Sequence, residues 1–313
     1  MSKRKLISIV TPCYNEEENV RELCCQIRHV MGTVLPEYDY EHIFIDNGST
    51  DTTVALIKEE SRVDKNVKGI VNSRNFGHIR SPFYGLVQAN GDAVMLMVSD
   101  LQDPPSLIPE FVKKWEEGNE IVIGVKKGSE ETPLMFVIRK AYYYLIEQLS
   151  EIKLRKNYTG FGLYDKKIIN ILKDIKDPYP YFRGLVLELG YSVAEILYTQ
   201  PKRVRGITKN NFFTLYDMAM LGICSHSKVP LRIATLTGFI LAFISFLVSI
   251  GYLIAKLVLW DSFAMGMAPV VLGIFFFASV QLFFLGILGE YIGVIYTKIT
   301  NRPLVFEKER INF

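Results

Sequence analysis

The side chains best placed to do chemistry in this sequence are carboxylates standing where apolar runs end. Three polar clusters share that setting: "TPCYNEEE" from Thr11, "DNGSTD" from Asp46 and "SDLQDPP" from Ser99. Each alone is equally readable as a solvated turn with helix caps. In open parallel sheets, however, ligands bind beyond the carboxyl ends of strands, so three such clusters on one sheet edge make a site. Asp46 stands at a strand end, where its carboxylate can accept hydrogen bonds from a base or ribose. Behind it, Ser49 or Thr50 can cap the next helix and Asp51 can complement its dipole. Asp100 follows the run "VMLMV" and is placed to bind a cation. Magnesium keeps several waters and needs only one or two carboxylates when a substrate brings phosphates. In an extended chain residues 98, 100 and 102 share a face, so Gln102 would add a neutral oxygen, while Val98 occupies the place of a second carboxylate.

Strand-like runs precede all three clusters. "KLISIVTP", "EHIFID", "VKGIVNS", "DAVMLMVS" and "EIVIGV" follow one another with helical signals between them. Val20, Leu23, Cys24, Ile27, Val30 and Met31 recur at helical spacing. Further helices are expected from Thr52 to Glu60, from Pro82 to Ala89 and from Pro105 to Glu117, the last closed by Gly118. Runs such as "VMLMV" are apolar on both faces, as strands covered by helices on two sides must be. The expected architecture is therefore α/β, with a doubly wound, mostly parallel sheet. Between residues 134 and 200 the pattern is mixed. Helices are expected in "RKAYYYLIEQL", "KKIINILKDI" and "YFRGLVLELG", and strands in "GFGLYD" and "AEILYT".

The chain has 313 residues, 49% of them hydrophobic, and a net charge of +3, which excludes disorder and leaves no case for a nucleic-acid partner. Between Arg232 and Lys256, and again between Asp261 and Glu290, no residue is charged. About 20 apolar residues span a bilayer as a helix, so two transmembrane helices are expected at about 232–256 and 266–296. Lys228 and Arg232 precede the first; Lys298, Arg302, Lys308 and Arg310 follow the second. By the positive-inside rule both termini and the large N-terminal part face the cytoplasm. No signal peptide is expected, since "MSKRK" leads directly into a strand pattern. Cys13, Cys24, Cys25 and Cys224 lack metal or disulfide spacing, in keeping with a reducing compartment. The segment from Gln200 to Lys228 is basic at first and apolar later, a pattern for a helix lying on a membrane. Four parts result: a domain at 1–200, a basic loop and interfacial helix at 201–230, a hairpin at 231–298 and a tail at 299–313. Gly289 and Gly293 permit close helix packing, within the hairpin or in a homo-oligomer.

"TPCYNEEENV", "IDNGSTDTT", "SRNFGHIRSPFYGL" and "SDLQDPPSLIPEFVKKW" occur in that order, followed by "GFGLYDKKII", "PYPYFRGLVLELGY", "KRVRGITKNNFF" and "SKVPLRIAT". Over nearly its whole length the sequence resembles family 2 glycosyltransferases of the polyprenyl-phosphate type. These include dolichol-phosphate mannose synthases and bacterial undecaprenyl-phosphate glucosyl- and aminoarabinosyltransferases. The resemblance implies a GT-A fold in the bacterial inner membrane that moves a sugar, with inversion, from a nucleotide-sugar to a lipid phosphate. UDP as the nucleotide, Mg²⁺ or Mn²⁺ as cofactor, and an envelope glycan or modified lipid as destination follow by the same analogy. It implies that Pro12, Tyr14, Glu16 and Asp46 contact base and ribose. Ser99, Asp100 and Gln102 would face the diphosphate, with Asp100 and Gln102 on the metal. Arg203, Arg205 and Lys209 match an R-x-x-G-x-S-K-like segment that holds the lipid phosphate, with Thr208 at the serine position. The basic run reads alternatively as a patch for anionic lipids in general, although Gly206 and Thr208 interrupt it as a shaped loop would. Arg139 and Lys140 either neutralise the diphosphate or form the solvated face of a Tyr-rich helix.

Three departures from the family pattern stand out. Val98 replaces the first Asp of a D-x-D, Asn47 replaces a second acid after Asp46, and "TGFGL" replaces G-D-F-R-L, with Gly160 at the acid and Gly162 at the Arg. A phosphate monoester has a second pKa near about 6 and arrives mostly deprotonated, so it needs no base. Positioning and stabilisation of the departing diphosphate can then suffice. The other reading of these losses is a non-catalytic membrane scaffold that binds nucleotide-sugar or recruits an envelope-glycan assembly partner. Two spans with Gln281 as the one strongly polar side chain near mid-membrane offer no transport path, and a processive synthase needs more helices.

Overall fold

Alternating apolar strands and amphipathic helices build the sheet from its centre outward. The computed structural model describes residues 4–127, 155, 157–201, 220–221, 224, 227–258, 267–300 and 302–313. Strands β1 (Leu6–Cys13), β2 (Asp39–Asp46) and β3 (Val67–Asn72) are joined by helices α1 (Val20–His29) and α2 (Thr53–Val63). Helix α3 (Gly77–Gln88) then leads to β4 (Ala93–Leu96), which lies on the other side of β1. All three pairings among these four strands are parallel. Helix α4 (Ile108–Glu116) precedes β5 (Ile121–Lys126), and after it come β6 (Tyr158–Asp165), α5 (Lys166–Asp174), α6 (Phe182–Glu188) and β7 (Val193–Tyr198). The sheet order is β7-β5-β6-β4-β1-β2-β3-β8, with β8 at Glu307–Ile311. β6 and β8 are the antiparallel members, so the sheet is mostly parallel, as expected.

The two-sided apolar pattern has its predicted cause. Successive residues of β4 enter opposite cores: Ala93 and Met95 pack with Leu23, Ile27 and Phe111 of α1 and α4. Val94 and Leu96 pack with Phe83 of α3, Ile168 and Leu172 of α5 and Val186 of α6. Helix α1 keeps its expected buried face, but its last apolar pair, Val30 and Met31, falls in a π-helical turn at Val30–Val34. Helix α3 begins at Gly77, ahead of the expected Pro82, and carries that proline inside. It thereby forgoes the one bond that the proline nitrogen cannot donate.

Two features go beyond the sequence expectation. β5 does not neighbour β4, because β6 inserts between them. The tail expected at 299–313 supplies β8, which covers the edge of β3. Gly69 makes room for it: a Cβ there would lie 2.9 Å from Ile311 Cδ1. Tyr84 Oη donates to Glu307 Oε1 at 2.7 Å, and Lys58 pairs with Glu309 at 2.8 Å. The domain begun at the N-terminus is thus completed by residues that follow helices α7 (Val229–Val258) and α8 (Met267–Ile299). Both helices are long and apolar enough to cross a membrane, over Val229–Val248 and Gly273–Ile299, and neither stretch is buried. Tyr291 Oη donates to the Ser227 carbonyl at 2.7 Å, and Lys298 at the end of α8 pairs with Asp177 at 3.3 Å.

One buried group makes stability depend on pH. His42 on β2 is 1% exposed, its Nε2 lies 3.0 Å from Thr11 Oγ1, and burial pushes its pKa down to about 3. The unfolded chain takes up this proton below about pH 6.5 while the folded chain does not. Stability from this group is therefore complete above that pH and falls by up to about 1.4 kcal/mol per unit on acidification. Thermal unfolding of the detergent-solubilised protein should show a midpoint dropping from pH 7 to pH 5, with a shallower drop in His42→Gln. Equal slopes in both proteins would contradict the assignment.

Candidate active site at the carboxyl edge of the sheet

Because β1 lies between β4 and β2, the polar clusters after these strands converge. They border a cavity of about 660 Å³. Pro12, Tyr14 and Glu16 come from the turn after β1, Asn47 from that after β2, and Val98, Ser99, Asp100 and Asp103 from that after β4. The first turn of α3 adds His78 and Ile79, while Gly160 of β6 and Arg183 of α6 complete the wall.

The first two turns are laced together. Asn15 adopts a left-handed φ of 53°, donates its N–H to Ser49 Oγ at 2.8 Å and accepts the Thr50 N–H at 2.8 Å. Glu16 N–H donates to Thr53 Oγ1 at 2.8 Å. Asp46 is 1% exposed and closes its own turn, accepting from the Gly48 and Ser49 amides at 3.1 and 3.0 Å and from the Ser49 hydroxyl. Burial pushes its carboxyl up from the usual range. Asp46, expected to accept hydrogen bonds from a base or ribose, has its oxygens engaged within the turn, while its neighbour Asn47 borders the cavity. The cap position of α2, Thr52, makes no side-chain cap; Asp51 just before it accepts the Thr53 amide on Oδ1 at 3.0 Å, and Ser49 and Thr50 bond Asn15.

Asn47 explains its own departure from an acid. Its Nδ2 donates to Asn75 Oδ1 at 3.0 Å and to the Gly77 carbonyl at 3.1 Å, while its Oδ1 accepts the Phe76 amide at 2.8 Å. A carboxylate has no hydrogen to give these two oxygens. The asparagine therefore fixes the entrance of α3, whose residues line the cavity.

After β4 the extended geometry assumed for residues 98 to 102 does not hold. The strand ends at Leu96, and Leu101 turns with φ 60°. Asp100, 7% exposed, accepts the Gln102 amide on Oδ1 at 3.1 Å and borders the cavity. The Gln102 side chain does not join that lining. Asp103, not singled out from sequence, does. It is 3% exposed, its Oδ2 accepts the Val98 amide at 3.2 Å, and its Oδ1 accepts from Tyr198 Oη at 2.9 Å. Burial lifts its pKa to about 6. Its position before Pro104-Pro105 marked a turn but gave no sign of this bracing role.

Among the described residues no cluster of three or more His, Cys, Asp or Glu side chains could hold a cation unaided. Asp100 fits a divalent ion that draws its other oxygens from substrate phosphates and water. Arg139, Lys140, Arg203, Arg205 and Lys209 lie outside the described residues. The cavity residues that sequence reasoning did not select include Asn47, His78, Asp103 and Arg183; the quoted segments "SRNFGHIRSPFYGL" and "PYPYFRGLVLELGY" contained two of these without distinguishing them.

Comparison with known proteins adds an independent line. The model of glycosyl transferase family 2 matches residues 8–172. An uncharacterised glycosyltransferase of Synechocystis sp. is 34% identical over 299 residues, covering 95% of this chain and 93% of that protein. The SfII prophage-derived bactoprenol glucosyl transferase of Shigella flexneri is 34% identical over 298 residues, covering 95% and 96%. Among solved structures, glucosyl-3-phosphoglycerate synthase from Mycobacterium tuberculosis, in complex with Mn²⁺, uridine diphosphate and phosphoglyceric acid, aligns with a TM-score of 0.49. That alignment has 18% identity over 70% of this chain and 76% of that one.

Proposed function

The chain belongs to glycosyl transferase family 2, and from that premise we propose that it moves one sugar from a nucleotide-sugar to a polyprenyl phosphate at the cytoplasmic face of a bacterial inner membrane. It is a glycosyltransferase with a GT-A-like sheet; the proposal concerns the donor, a UDP-hexose, and the lipid acceptor. One observation carries the reading. The acidic cavity belongs to a sheet whose last strand, β8, follows two membrane-length helices, which supports a site working close to the hairpin. The name of the Shigella relative, a bactoprenol glucosyl transferase, supports the same acceptor.

The return of β8 to the sheet also supports an out-and-back hairpin, with the catalytic domain and both termini on one side. The excess of Lys and Arg at the helix ends supports the cytoplasm as that side. In this reading Pro12, Tyr14, Glu16 and Asp46 form the nucleoside end of the site, Asp46 through the turn it closes. Ser99, Asp100 and Gln102 form the diphosphate end, with Arg139 as a further cation there. Arg203, Arg205 and Lys209 hold the lipid phosphate in the segment that leads to the membrane. Asp100 would hold Mg²⁺ or Mn²⁺ with the donor's phosphate oxygens, and the cation would offset the charge of the departing diphosphate. The acceptor phosphate is already deprotonated, so the protein need only aim one of its oxygens at the anomeric carbon.

The test is direct. Purified full-length protein, Mg²⁺ and undecaprenyl phosphate are incubated with a panel of UDP-sugars, and lipids are read by mass spectrometry. A glycosylated lipid phosphate is the expected product. Nucleotide-sugar binding without any lipid product across the panel would replace the proposal with the scaffold reading.

A further inference from the structure

Among the described residues lining the cavity, Glu16, Asp100 and Asp103 carry carboxylates and Arg183 alone carries a permanent positive charge. Arg183 is half-buried on α6, directly after Phe182, whose ring packs edge-on against Tyr164 at 5.1 Å and Phe83 at 6.3 Å. Its backbone is thus anchored in the core. Its guanidinium nevertheless makes no hydrogen bond, ion pair or ring contact with any described residue. Nearby cations are engaged: Arg80 stacks over Tyr179 at 5.1 Å, and Lys298 pairs with Asp177. A guanidinium has five donors and pairs best with planar or tetrahedral oxyanions. Asp103 is not its partner: the Asp103 oxygens accept the Val98 amide and the Tyr198 hydroxyl, and no ion pair joins them to Arg183.

We propose that Arg183 is a phosphate-binding residue of this cavity, gripping the phosphate oxygens of a substrate at the α6 wall. The inference rests on the transferase reading above and adds a subsite to it. A dianionic phosphate entering a cavity lined by three carboxylates meets repulsion that one well-placed guanidinium offsets. The donor diphosphate and the acceptor monoester both offer such oxygens. The setting favours the acceptor: Pro180 and Tyr181 line the same wall, and the strand of chain leading to them is tied at Asp177 to the end of α8.

Full-length Arg183→Gln and Arg183→Lys in lipid nanodiscs test this. Melting temperature, kcat and KM for both substrates, and calorimetric binding of UDP and of undecaprenyl phosphate are measured. Arg183→Gln should melt as wild type and lose about 30- to 100-fold in kcat/KM, the worth of a hydrogen bond to a charged group. Arg183→Lys should recover part of the loss. A raised KM for the lipid with unchanged UDP affinity assigns the acceptor phosphate; weakened UDP binding assigns the donor. Unchanged constants for both ligands in Arg183→Gln would overturn the proposal, as would a loss that tracks a lowered melting temperature in both variants. If the wild-type chain makes no glycolipid, the acceptor reading fails by itself, and the two binding measurements still decide Arg183.

Discussion

Asp100→Ala is expected to lower turnover by at least about 10³-fold, or about 4 kcal/mol of transition-state stabilisation, while the melting temperature stays near wild type. The size follows from how few ligands the cavity offers. Glu16 Oε2 accepts from Asn19 at 2.7 Å, and both oxygens of Asp103 accept bonds within the fold. No cluster of three candidate ligands exists among the described residues, so in the proposed site Asp100 would hold the cation together with the donor. Removing this carboxylate removes the protein's own grip on the charge that offsets the departing diphosphate. Mg²⁺ should strengthen UDP binding to the wild-type protein and leave binding to Asp100→Ala unchanged. Val98→Asp, at a cavity position 37% exposed, serves as the opposite control: it keeps activity and tightens metal binding in the absence of nucleotide. Wild-type turnover in Asp100→Ala would remove Asp100 from the metal.

The parts of this architecture that were legible in the sequence are those set by short-range pattern. β1 to β4 announce themselves because each carries apolar residues toward both cores, and the polar residues beyond them fall on one edge by the rule for parallel sheets. The insertion of β6 between β4 and β5 was not legible, since pairing between strands distant in sequence leaves no periodic mark. β8 was hidden for another reason. "EKERI" reads as a solvated tail, and it becomes a strand only because the β3 edge offers Gly69 for Ile311 and Lys58 for Glu309. Charges suit such an edge strand. Within the site, the clusters were readable but their division of labour was not. Whether Asp46 or Asn47 borders the cavity, and whether Gln102 or Asp103 accompanies Asp100, depends on turns with left-handed residues at Asn15 and Leu101. Neither residue type compels that conformation. Arg183 was passed over because a lone arginine on a short helix has no pattern of its own.

Gly162→Arg, which restores the family's G-D-F-R-L at its arginine, is expected to yield no folded protein. Gly162 lies on β6 between Leu96 of β4 and Ile123 of β5. A Cβ there would sit 2.7 Å from the Val122 carbonyl oxygen and 2.8 Å from Tyr164 Oη. The first contact is with backbone in the sheet interior and cannot be relieved by a rotamer change. The second is with a fully buried ring whose hydroxyl lies 2.6 Å from Tyr158 Oη and donates to the Gly160 carbonyl at 2.7 Å. Overpacking of this kind costs about 1–3 kcal/mol, and a buried unpaired charge adds about 3–5 kcal/mol, which together approach the whole stability of a domain. Gly160→Asp should behave differently. Its φ of 104° penalises a side chain by about 1–3 kcal/mol, but a Cβ there meets only Leu96 and Phe182 carbons at 3.6 and 3.9 Å. That variant should fold with a lowered melting temperature. Size-exclusion profiles and thermal melts of the two proteins side by side decide the matter; a monodisperse Gly162→Arg melting as wild type would refute it. The contrast separates two kinds of departure that look alike in sequence. At Gly162 the Tyr164 hydroxyl and the Val122 carbonyl occupy the place that a side chain would need. At Gly160 the place borders the cavity, which the proposed acceptor, bringing its own deprotonated phosphate, would allow.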